Sequence, residues 1–309
     1  MQIYMNECPS LSASAVALGF FDGVHIGHRE LIKKTLAEAR LLSCDSVVYT
    51  FSSHPSFLLC KDNPVKTIYQ NDTKISLLSS LGVDAAVLDD FSNVCTLTPS
   101  EFVERVLVSR LNAKAVVCGY NFRFGKGNTG DVDTLRSLAS LYGIKVFVIP
   151  PVCAGGEPVS SNRIRTLIEL GEVALAGLLL GEPYRISGRV VKGKHIGHDL
   201  GFPTANIEPH EDSVLLGRGV YYTKSICGGR EYLSVTNVGV RPTVGDGRAQ
   251  PVFETHLIDF IGDIYDKELV VHFYSFARAE HRFDSLDELK KALERDVVCA
   301  KKYFEKEDV

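Results

Sequence analysis

At 309 residues the chain is about twice the size of a typical single domain, so two domains are expected. Hydrophobic residues make up 45% and charged residues 23%, a globular composition that excludes a disordered chain. The 34 Lys and Arg against 38 Asp and Glu leave a net charge of −4, too little field to hold a nucleic acid or an anionic membrane by charge. No run approaches the ~20 apolar residues of a membrane span, and the first residues lack a basic segment followed by an apolar one. These features predict a soluble cytoplasmic protein. The eight cysteines contain no CxxC pair, so neither a disulfide framework nor a zinc site is expected.

Short apolar runs at Ser14–Leu18, Ser46–Thr50, Ala85–Leu88, Ala115–Cys118 and Val146–Ile149 predict parallel strands covered on both faces. Between them, Leu31, Ile32, Leu36 and Ala39 share one face of a helix beginning near His28. Thr98-Pro99-Ser100-Glu101 is a capping box opening a second helix, whose Phe102, Val106, Leu107 and Leu111 share a side. This alternation predicts an α/β domain built on a doubly wound parallel sheet, over residues 1–182. After Gly181-Glu182-Pro183 the pattern turns to strands at Ile186–Val191, Gly219–Ile226, Leu233–Val238, Phe253–Ile258 and Leu269–Phe273, broken by glycine turns. An antiparallel β-barrel is expected over 183–309. It is closed by one long helix from the Ser285-x-x-Glu288 cap, with Leu286, Leu289, Leu293, Val297, Ala300 and Phe304 at helical spacing.

Gly19-Phe20-Phe21-Asp22-Gly23-Val24-His25-Ile26-Gly27-His28 joins the first strand to the first helix. A helix N-terminus beyond a strand's carboxyl end is a natural phosphate site, and two imidazoles three residues apart add donors. Gly27 between them lets the backbone come close. Two surface histidines beside a turn, or a metal pair, are the rival readings of the histidines alone. Downstream, Gly125-Lys126-Gly127-Asn128-Thr129-Gly130 matches GxGxxG but lacks the following acidic residue of a dinucleotide site. Gly188–His195 nearly matches a phosphate-binding P-loop but ends in His and lies in strand-like sequence, so neither is read as a nucleotide motif. In Gly201-Phe202-Pro203-Thr204-Ala205-Asn206, Thr204 and Asn206 point the same way in extended chain and offer two hard oxygen ligands to Mg²⁺; a polar turn is the alternative. Glu254 and His256 share one strand face; a lone carboxylate there is usually just solvated, but phosphorylating an alcohol calls for a base of this kind within reach of the hydroxyl.

The His25-x-Gly27-His28 pattern, with Ser160-Ser161-Asn162-Arg163-Ile164-Arg165, resembles the nucleotidyltransferase superfamily. Thr50–Pro55 and Gly119–Gly125, at two further strand ends, narrow the resemblance to the bacterial bifunctional riboflavin kinase/FAD synthetase family. Gly201–Asn206, Gly219–Tyr221, Asn237–Thr243, Glu254–Leu257 and Arg282–Leu286 follow in that family's order, so the likeness spans nearly the whole chain. The resemblance implies a first domain that transfers the adenylyl group of ATP to FMN and a second that phosphorylates riboflavin. By it, His25 and His28 hold ATP phosphates, Asn121 contacts nucleotide, and Ser160, Ser161 and Arg165 complete the triphosphate site. Phe21, Asp22, Gly23, Gly27 and His54 fall in the matching motifs of that domain, and Gly193 in the loop of the second. Thr204 and Asn206 would bind Mg²⁺ with ATP, Glu254 would take the proton of the ribityl hydroxyl, and Arg282 would lie on a flap near flavin and nucleotide. The chain departs from the family pattern with Phe20, Ser53 and Asn162. A single-activity enzyme with one degenerate domain, or a non-catalytic flavin-binding regulator, are the alternatives.

Overall fold

The computed structural model describes residues 1–6, 11–60, 62–191, 202–242 and 249–307, with the side chains at 241, 242, 249, 250 and 307 left aside. The chain forms two compact units, Met1–Ser161 and Asn162–Val309.

The first unit carries a six-stranded parallel sheet of β1 (Gln2–Met5), β2 (Ser14–Leu18), β3 (Asp45–Phe51), β4 (Ala85–Asp89), β5 (Ala113–Gly119) and β6 (Lys145–Ile149), in the order β1-β4-β3-β2-β5-β6. Its helices are α1 (Ile26–Leu42), the single turn α2 (Ser56–Leu59), α3 (Asn71–Ser80), α4 (Pro99–Glu101) and α5 (Val132–Ser140). β2 and β4 are buried at every residue, as covered parallel strands require. The Thr98 capping box forms as expected, and α4 runs on as wider π-helical turns over Phe102–Arg110, where Leu111 N–H reaches back to the carbonyl of Val106 at 2.9 Å. Phe102, Val106, Leu107 and Leu111 all enter the core. The sequence pattern misses β1, an edge strand whose mostly exposed residues carry no apolar run. A short β7 (Cys153–Ala154) and β8 (Glu157–Pro158) hairpin follows the sheet.

The strand order places the topological switch between β2 and β5. From β2 the chain winds one way through β3 and β4, then crosses to β5 and β6 on the other side. The crevice at the carboxyl ends of β2 and β5 is where such sheets bind ligands.

The second unit begins with α6, which spans Ser161–Glu169, and α7 (Val173–Leu180). The residues of α7, Val-Ala-Leu-Ala-Gly-Leu-Leu-Leu, are apolar all round and show no helical stripe, so periodicity alone does not reveal this helix. The antiparallel sheet comprises β9 (Tyr184–Arg189), β10 (Ala205–Ile207), β11 (Gly219–Cys227), β12 (Arg230–Pro242), β13 (Ala249–Leu257) and β14 (Glu268–Arg278), in the order β10-β13-β12-β11-β14-β9. Its two edges meet where Val191, just past β9, pairs with Asn206 of β10 at 2.9 Å, so the sheet curls into a barrel. Tyr184, Tyr221, Phe253 and Phe273 fill its interior.

Helix α8 (Leu286–Glu307) closes this unit, capped as its sequence predicts: Glu288 N–H donates to Ser285 Oγ at 3.3 Å. Ala300 and Phe304 are buried, whereas Leu286 is 62% exposed because the first turn extends beyond the sheet surface it covers. A two-pronged ion pair fixes α8 to β14, with Arg278 Nε on Asp296 Oδ1 at 3.0 Å and Nη2 on Oδ2 at 2.7 Å. Asp296→Ala leaves a half-buried guanidinium without its partner, which costs about 2 kcal/mol. The melting temperature of the barrel is expected to fall by several degrees in calorimetry.

Candidate functional site

In the first unit the loop from Gly19 to His25 leaves β2 through three left-handed residues, Phe21 (φ 54°), Gly23 (φ 79°) and Val24 (φ 42°). A β-branched residue in that region is strained, and the surroundings hold it there. The buried Asp22 carboxylate accepts the N–H groups of Ile68 (2.9 Å) and Tyr69 (3.4 Å), and Ser161 Oγ donates to the Asp22 carbonyl at 3.1 Å. Phe21, Asp22 and Gly23 therefore lie buried behind the site as its frame and do not line the cavity.

The loop delivers His25 as the N-cap of α1: its Nδ1 accepts the N–H of His28 at 3.3 Å. A neutral His25 therefore carries its proton on Nε2. His28 stacks on His25, ring centroids 3.6 Å apart at 14°. A Cβ at Gly27 would stand 3.1 Å from the His25 ring, so glycine there makes room for the imidazole. Burial, then His25, then Lys74, push the His28 pKa well below its usual 6.5. His28 Nδ1 is a buried polar atom with no hydrogen-bond partner among the described residues. A neutral His28 with an unpartnered Nδ1, stacked on His25 at a helix N-terminus, suits an anionic ligand that supplies the missing acceptor.

Because the folded chain disfavours protonated His28 while the unfolded chain takes the proton below 6.5, this group's stabilising contribution is full above pH 6.5. It is lost as pH falls from 6.5 through the lowered folded value, at up to about 1.4 kcal/mol per pH unit. Melting curves between pH 5 and 8 should show wild type losing stability below 6.5 and His28→Gln losing less.

A cavity of about 490 Å³ opens at this loop, within the range of small-molecule sites. His25, Gly27, His28, Ser160 and Ser161 line one part, Asn121 and the Gly119–Gly125 segment after β5 another, and Phe51, Phe91 and Phe102 an aromatic part. The crevice thus joins four segments singled out in the sequence. Its GxGxxG stretch contributes Gly125 and Asn128 as wall, with no dinucleotide turn. His54 is not among the lining residues; its ring packs edge-on against Phe20 at 4.8 Å and its Nδ1 bonds Ser56 Oγ at 2.8 Å, while the neighbouring Pro55 lines the cavity. Arg165, in the second unit, is buried in α6 and donates to Asn162 Oδ1 at 2.5 Å, so asparagine at 162 orients that guanidinium.

In the second unit, strand register sets Asn206 of β10 opposite Glu254 of β13, and Glu254 opposite Asn237 of β12. The three side chains form one row across three strands, facing the same way at cross-strand contact distance. A cavity of about 280 Å³ is lined by Thr204, Asn237, Glu254, His256 and Arg278, with Leu293 and Val297 of α8, whereas Asn206, at the end of the row, is buried and does not line it. His256 Nδ1 bonds the Pro203 carbonyl at 2.9 Å and its ring packs against Phe202 at 5.2 Å, pinning the segment that presents Thr204. Burial pushes the His256 pKa down, so the neutral ring donates this bond. Asn237 Nδ2 donates to Glu280 Oε1 at 3.4 Å. Asn237 falls in one of the sequence motifs but only strand register reveals its row, and Asp296 carries no site signal in the sequence. Arg282 is exposed and is flanked by His281 and Phe283, which do line the cavity. Gly193 and the rest of 192–201 lie outside the described residues.

The FAD synthetase family profile matches residues 8–163 and the riboflavin kinase profile residues 180–304. The bifunctional riboflavin kinase/FMN adenylyltransferase of Escherichia coli K12 is 36% identical, over 97% of this chain and 95% of that protein. This chain belongs to the bifunctional riboflavin kinase/FMN adenylyltransferase family. The Bacillus subtilis member is 34% identical over 94% of this chain and 92% of its own length. A crystal structure titled a macrolide-efflux protein, from Streptococcus pneumoniae, superposes with a TM-score of 0.88 at 29% identity, covering 97% of this chain and 99% of that one. No helix among the described residues of the present chain is long and apolar enough to cross a membrane. The two family profiles fall on the two motif sets: the histidine crevice belongs to the FAD synthetase part and the Asn206–Glu254–Asn237 row to the riboflavin kinase part.

Proposed function

We propose that the chain makes FMN from riboflavin and ATP in its barrel and FAD from FMN and a second ATP in its α/β unit, with the functional division near residue 183. The observation that supports this most is the presence of two cavities, one lined by His25, His28, Asn121, Ser160 and Ser161 and the other by Thr204, Asn237 and Glu254. In the barrel, the riboflavin 5′-hydroxyl oxygen attacks the γ-phosphorus, the bond to the ADP oxygen breaks, and Glu254 accepts the hydroxyl proton. Asn206 and Asn237 flank that carboxylate, and His256 fixes the Thr204 segment. The hydroxyl of Thr204 and the carboxamide of Asn206 are hard oxygen donors two residues apart, a set that fits Mg²⁺ carried in with ATP; no cluster of three or more His, Cys, Asp or Glu suited to a metal occurs among the described residues. Bound there, Mg²⁺ would neutralise phosphate charge.

In the α/β unit an FMN phosphate oxygen attacks the α-phosphorus and pyrophosphate leaves. FMN phosphate is already largely ionised at neutral pH, so the protein's task is alignment and meeting the developing charge. His25, His28, Ser160, Ser161 and Arg165 are the donors we assign to the triphosphate, Asn121 to nucleotide, and the aromatic part of the cavity to the flavin ring. Gly193 and Arg282 are assigned to the nucleotide and flavin contacts of the kinase site. We place the protein in the cytoplasm, as a monomer or weak homo-oligomer. Incubation with riboflavin and Mg-ATP, followed by flavin chromatography, should show FMN and then FAD. Accumulation of FMN alone, or no turnover, would leave a single-activity enzyme or a flavin-binding regulator.

A further inference from the structure

Lys74, on α3, is 3% exposed. Its Nζ donates to the Phe51 carbonyl at 3.0 Å and lies 4.6 Å from the centroid of the Phe20 ring. No carboxylate stands within ion-pair distance of it among the described residues. An ammonium buried this way is costly to the fold, whereas an apolar side chain of the same length would fill the space without that cost. Stability therefore does not account for it, and its position gives another reason. Phe51 and Phe20 both line the large cavity, and Phe20 immediately precedes the strained turn that delivers His25 and His28.

We propose that Lys74 is a positioning residue for adenylyl transfer: a fixed cation held behind the histidine loop that attracts the polyphosphate and sets the field at His28. It touches no reacting atom and acts through the field it places on His28. The groups facing it are Asp22 and His28 from the loop, with His25 behind His28, and the His54 ring through Phe20. The Phe20 ring stands between the ammonium and the cavity, and a cation under an aromatic face keeps its field less diluted by solvent. Burial holds the Lys74 pKa down to about 8, partly countered by Asp22, so the charge is present at neutral pH and lost just above it.

This inference rests on the adenylyl-transfer reading of the site. The test measures FAD formation from FMN and ATP between pH 5.5 and 9.5, with riboflavin phosphorylation by the same preparations as control. Wild type is expected to lose FAD formation above a midpoint near 8. Lys74→Arg, which stays charged, should keep neutral-pH activity and move that alkaline limb upward by a full pH unit or more. Lys74→Met should raise KM for ATP in FAD formation, shift the acidic limb upward as His28 becomes easier to protonate, and leave kinase kcat unchanged. The same pH profile in wild type and Lys74→Arg would overturn the proposal, as would an unshifted profile in a folded Lys74→Met. If Lys74→Met fails to fold, the arginine comparison decides alone. A wild type that makes no FAD refutes the adenylyl-transfer reading itself, whereas FAD formation with unmoved profiles refutes only the role of Lys74.

Discussion

His28→Ala is expected to abolish FAD formation while riboflavin is still converted to FMN, which should accumulate. The imidazole at 28 completes a stacked pair at the N-terminus of α1, and its buried Nδ1 has no partner of its own among the described residues. Removing a preorganised donor at a site of developing charge costs about 10²–10³ in kcat. The substitution also opens a gap beside His25, whose Nδ1 bond to the residue 28 N–H does not need the ring. The loop frame around Asp22 stays in place, so the loss should fall on turnover more than on folding. Chromatography of flavins over a time course separates the outcomes: FMN without FAD fits, whereas loss of both products in a folded variant contradicts two independent sites.

Glu254→Gln should give the mirror result. The carboxamide preserves shape and the cross-strand neighbours Asn206 and Asn237, but it cannot take up the proton of the riboflavin hydroxyl. General-base catalysis is worth about 10²–10⁴ in rate, so FMN formation should drop by that amount with little change in riboflavin affinity. FAD formation from supplied FMN should be unchanged. A Glu254→Gln enzyme that phosphorylates riboflavin at the wild-type rate would remove Glu254 from the role of base.

The sequence made the architecture legible wherever a strand or helix carries its own signal. β2 and β4 are uninterrupted apolar runs because both faces are covered, and the caps at Thr98 and Ser285 are local hydrogen-bonding devices that need no tertiary context. β1, β10 and α7 escaped for separate reasons: an exposed edge, a three-residue length with Asn206 in its centre, and a uniformly apolar helix. At the sites, His25 and His28 were legible because spacing and a helix start fix them within one turn. The Asn237–Glu254–Asn206 row was only partly so, since the three residues come together through strand register and not through proximity in sequence. Phe21 and Asp22 look like ligand contacts in the sequence but sit behind the loop as its frame, because a strained turn needs its own support. Lys74 left no trace in the sequence: it lies on a helix of weak amphipathic pattern, and only the packing of α3 against the histidine loop buries it.

The two-site account is tested most directly by routing labelled phosphorus from ATP into the flavin products. With riboflavin as the only flavin supplied, γ-labelled ATP should place label in FMN and carry it on into FAD. α-labelled ATP should label FAD and never FMN. Label from the α-position in FMN, or FAD without γ-derived label, would contradict a chain that cuts ATP at its outer phosphorus in one cavity and its inner phosphorus in the other.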